Sequence, residues 1–104
     1  MTEYLNILKK TLVNEIDTLV DDIQVDSVLK NNPYINKIFS EKIIPNLFEI
    51  KTNLEIGNFY FVDLKEKINN CVAMTSDIVD LDTNYYVFYS RIKILRENIL
   101  SKIS

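Results

Sequence analysis

The groups in this chain that could do chemistry are few: one cysteine, no histidine, and carboxylates spread along its length. Without histidine, the commonest general base, the Ser-His and Cys-His nucleophile pairs and the commonest transition-metal ligand are all absent. A zinc ion would have to be held almost entirely by carboxylates, which is an unusual ligand set. A single glycine rules out a glycine-rich phosphate loop. Cys71 lies among Ile68 and Val72 on an apolar stripe, whereas a nucleophilic thiol needs an exposed, electropositive setting. It reads as a small buried hydrophobe.

The carboxylates offer one pattern. Asp80, Asp82 and Asn84 are spaced like the opening of a calcium loop, with Asp77 close by in sequence. The pattern fails where it should be strongest, because Tyr85 occupies the glycine position and Arg91 that of the bidentate acid. These acids read as a solvated helix end with capping residues. Asp17, Asp21, Asp22 and Asp26 read as a solvated face, and a net charge of only −3 is little for an imitation of nucleic-acid phosphates. The expectation is a protein that is not an enzyme and that holds no cofactor or metal. An enzyme working through carboxylates and a divalent metal around Asp77, Asp80 and Asp82 is the most distant alternative.

At 104 residues the chain is expected to form one domain, 1–104, with enough core to fold without disulfides. Apolar and charged fractions of 47% and 26% belong to an ordinary globular chain rather than a disordered one. No segment resembles a secretory signal or approaches the ~20 apolar residues of a membrane span, so the cytoplasm is the expected compartment. The acidic balance disfavours a nucleic-acid partner, whose phosphates call for clustered cations. Fifteen Ile, twelve Asn and ten Lys against one Ala and one Gly are the usage of an A/T-rich genome. A low-GC bacterium, its phage or plasmid, or a large DNA virus acting in its host's cytoplasm would fit.

The elements that position these groups follow from periodicity. Leu5, Leu8, Leu12, Ile16, Leu19 and Ile23 recur at intervals of three and four, and at 100° per residue they fall within a sector of about 80°. This predicts a first helix from Thr2 to Val25 or Leu29, with an acidic outer face. Pro33 suits the first position of a short helix capped by Asn32 and running to Phe39. Ser40 is expected to cap a further piece carrying Ile43, Leu47, Ile50 and Leu54, interrupted or delayed at Pro45 and ended by Gly57. Ile44 and Phe48 widen its apolar sector, so it should lie centrally. Phe61, Leu64, Ile68, Cys71, Thr75 and Val79 mark a third main helix. Tyr85, Phe88, Ile92, Leu95, Ile99 and Ile103 mark a fourth, capped by Asp82 or Thr83. The fold class is therefore all-α: an antiparallel bundle of four main helices with a short extra helix after Asn32. The alternative is an α+β fold in which the strand-prone residues 58–62 and 84–89 pair as a hairpin.

The last helix carries the one sign of an interface. Val87 and Ile94 lie seven residues apart on the side away from the core stripe, with Ser90 and Ser101 near them and Tyr86 at their edge. Such a second seam is what a helix shows when it packs on two sides. Tyr60 and Tyr34 are the other tyrosines without a core assignment, and tyrosine is a favoured interface anchor. Arg96 projects onto the core side of this helix and should reach the rim or meet a carboxylate, with Glu15 the expected partner. The function expected from these residues is a non-enzymatic protein-binding module, a small accessory, inhibitor or immunity-type protein acting through a helical face. The alternative is an architectural subunit that self-associates as a homodimer through the same seam.

Overall fold

Helix formation follows the periodic stripes closely. The computed structural model describes residues 2–26, 30–56 and 61–102. Helix α1 (Thr2–Val25) is followed by the short α2 (Pro33–Ile38), a π-helical turn (Phe39–Ile43) and α3 (Ile44–Ile56). Then come α4 (Phe61–Leu81), a 3₁₀ turn (Thr83–Tyr85) and α5 (Tyr86–Lys102). No strand occurs among the described residues. Residues 84–89 are helical despite their aromatic and β-branched content, which removes the hairpin alternative. The reason is packing: Phe39 meets both Tyr85 and Phe88, at ring-centroid distances of 6.3 and 5.7 Å. Residues three apart share a face on a helix, whereas a strand would send Tyr85 and Phe88 to opposite sides.

The segment after Asn32 departs most from expectation. The Asn32 side chain does cap α2, accepting a hydrogen bond from the Ile35 N–H at 3.2 Å, with Pro33 in the first turn. Ser40 does not begin a new helix. The backbone stays helical at Ile38, Phe39 and Ile44, and the Ile44 N–H donates to the Phe39 carbonyl five residues back. Pro45, next in line, has no N–H to give. The π-turn widens the helix by one residue just ahead of that missing donor, so Pro33–Ile56 runs as one rod instead of two capped pieces.

Four rods result, and they close a ring in chain order. α1 packs on α3 and α5, and α4 packs on the same two helices. The molecule measures 45 × 22 × 19 Å, the cross-section of two helices by two at about 10 Å each. The core is continuous through Leu12, Ile16 and Ile23 of α1, Leu47, Ile50 and Leu54 of α3, Leu64, Ile68 and Cys71 of α4, and Ile92, Leu95 and Ile99 of α5. Among the residues whose side chains are described, which leaves out Leu5 and Phe61, the expected stripes hold with two corrections. In α4 the stripe ends on Ile78, which is buried, while Val79 is only partly covered. In α3 Ile43 and Ile44 are buried but Phe48 stands exposed, because α1 and α4 flank a narrower sector than Phe48 would need. Gly57, Leu29 and Ile103 lie outside the described residues.

A polar tie sits at the rim of each seam of the ring. Lys51 on α3 pairs with Asp17 on α1 at 2.7 Å, and Lys67 on α4 pairs with Glu49 on α3. Arg91 on α5 pairs with Asp22 on α1 at 2.6 Å. The Arg96 Nε of α5 donates to Asn69 Oδ1 of α4 at 2.5 Å. The hydrogen bonds that Lys51 donates to Asp17 and Lys67 donates to Glu49 raise the two lysine pKa values. Two expectations are corrected here. Asp17 and Asp22 are inter-helix partners rather than part of a purely solvated face. Arg96 does reach the rim, where it meets Asn69 and, at 3.4 Å, the carboxylate of its neighbour Glu97 rather than that of Glu15, because it occupies the edge of α5 that faces α4, while Glu15 borders the opposite edge. No helix among the described residues is long and apolar enough to cross a membrane.

Candidate functional site

Helix α5 has two apolar sides, and only one of them is spent on the core. Tyr85, Phe88, Ile92, Leu95 and Ile99 point inward and are buried. Val87 and Ile94 point outward with 62% and 57% of their surface exposed. Seven residues are almost two full turns, so the pair shares a face about 10 Å apart along the axis.

Ile94 is also one wall of an open groove of about 400 Å³ between α1 and α5. Leu19 and Leu95, both buried, form its floor. The α1 wall is made by Thr11, Asn14, Glu15 and Thr18. The two threonines look polar in sequence, but each hydroxyl donates to its own helix, Thr11 to the Ile7 carbonyl and Thr18 to the Asn14 carbonyl, both at 2.9 Å. With its proton given to the backbone, each hydroxyl has only acceptor capacity left to offer the groove. Arg91 completes the lining, held in place by Asp22. The groove therefore combines an apolar floor, walls of small side chains, one carboxylate and one anchored cation.

The five residues expected at an interface do not gather at one place. Val87 and Ile94 share the outer face of α5 as expected. Tyr86 is exposed but leans away from them, its ring against Tyr89 at 5.8 Å, while the Lys93 ammonium sits 5.9 Å from the Tyr89 ring centre. Tyr34, also exposed, borders a separate shallow groove with Lys37, Ile38, Glu41 and Lys42. Tyr60 lies outside the described residues. The residues missed from sequence are those of the α1 wall. Ile7 lies outside the core stripe of α1, and no apolar residue follows it one heptad later. Yet Ile7, Thr11, Asn14 and Thr18 recur at four, three and four, which is a helical seam written in small residues instead of aliphatic ones.

The groups weighed for catalysis are otherwise occupied or dispersed. Cys71 is buried, its Sγ lies 3.9 Å from the Ile43 carbonyl, and burial pushes its pKa up to about 12. Thr75 beside it is buried too, its hydroxyl donating to the Cys71 carbonyl at 2.8 Å. Asp82 caps the 3₁₀ turn by accepting from the Asn84 N–H at 3.0 Å. Among the described residues no three acid or cysteine side chains converge where a metal ion could sit. No protein-family model, no curated protein and no solved structure matches the chain.

Proposed function

We propose that this protein is a non-enzymatic binding module whose working surface is the α1–α5 groove together with the Val87–Ile94 ridge. The occupant we propose is a helical segment of a partner protein. A trough between two helices, floored by leucines and walled by small side chains, suits the side-chain ridge of a third helix. The observation that carries the reading is Ile94: a large aliphatic side chain, more than half exposed, on the lip of a groove whose threonine hydroxyls already donate their protons to the backbone. In biological terms the reading is a small accessory, inhibitor or immunity-type protein of an A/T-rich bacterium, phage or virus, working in the cytoplasm of the cell or of its host.

The test is a comparative capture. Tagged wild type and Val87→Asp/Ile94→Asp are exposed to the same extract, and any retained protein is purified and titrated against both. The proposal expects a stoichiometric complex with wild type and at least a tenfold weaker one with the variant, at unchanged thermal midpoint. Equal affinity of both forms for the purified partner would overturn it. A wild type that is already a dimer, and that the variant turns into folded monomer, would instead assign the same face to self-association.

A further inference from the structure

We draw no further inference here: the strongest candidate, the groove between α1 and α5 floored by Leu19 and Leu95, belongs to the site already described, and nothing in the structure shows which partner covers it.

Discussion

Cys71 illustrates how burial decides what a reactive group can do. Its thiol rises from an ordinary pKa of 9.0 to about 12 because the thiolate would have to form inside the core. At pH 8 the native thiol should therefore resist a disulfide reagent such as DTNB, reacting only as fast as the bundle opens. Rapid stoichiometric labelling of native protein would contradict this. The same shift links stability to pH. A thiol that holds its proton more tightly when folded contributes fully below pH 9, and that contribution is lost as pH climbs toward 12, by up to about 1.4 kcal/mol per unit. Tyr85 acts with the same sign, its pKa raised by burial and by the nearby Asp82 and Asp26, against an opposing hydrogen bond from Asn32. Urea midpoints at pH 8 and pH 11 should fall more steeply for wild type than for Cys71→Ala. Parallel losses in the two proteins would show that the thiol is not the titrating group.

At the scale of elements, the α2–π–α3 rod shows which local signals govern and which yield. Asn32 caps α2 from a partly buried position, so Asn32→Ala should cost about 1 kcal/mol. Phe39, fully buried in the π-turn, joins the rod to Tyr85 and Phe88, so Phe39→Ala should cost roughly 3–5 kcal/mol. Denaturant unfolding of both variants checks the order, and a Phe39 effect no larger than the Asn32 effect would refute it. Periodicity made α1, α4 and α5 readable because their stripes run unbroken over several turns. Asn32 and Asp82 were readable as caps because their side chains act within three residues. Ser40 misled because a capping residue type is only a local preference, and the backbone there stays in register through a widened turn. Residues 84–89 were ambiguous because side-chain type favours a strand while the contact with Phe39 favours a helix. That contact joins residues about fifty apart in sequence and is invisible to any local window. The groove was half legible: Val87 and Ile94 declared themselves as apolar residues off the core stripe. Thr11 and Thr18 did not, because their hydroxyls give their protons to the backbone only once the helix has formed.

At the scale of the whole molecule, a ring of four rods with a polar tie at the rim of each seam separates stability from register. The core supplies the stabilising burial, while exposed ties of this kind are each worth up to about 1 kcal/mol. A double-mutant cycle on Asp22→Ala and Arg91→Ala should give a coupling below about 1 kcal/mol that shrinks as salt is raised. A salt-insensitive coupling of several kcal/mol would place that pair in the core instead. We propose that the face at α1 and α5 is free surface held ready for another protein. The most direct test is light scattering combined with thermal melting on wild type and on Val87→Asp/Ile94→Asp. The expected result is a wild-type monomer near 12.2 kDa and a variant that is equally monomeric, with its melting midpoint within a few degrees of wild type. A variant that unfolds would contradict it outright, because Val87 and Ile94 would then belong to the core.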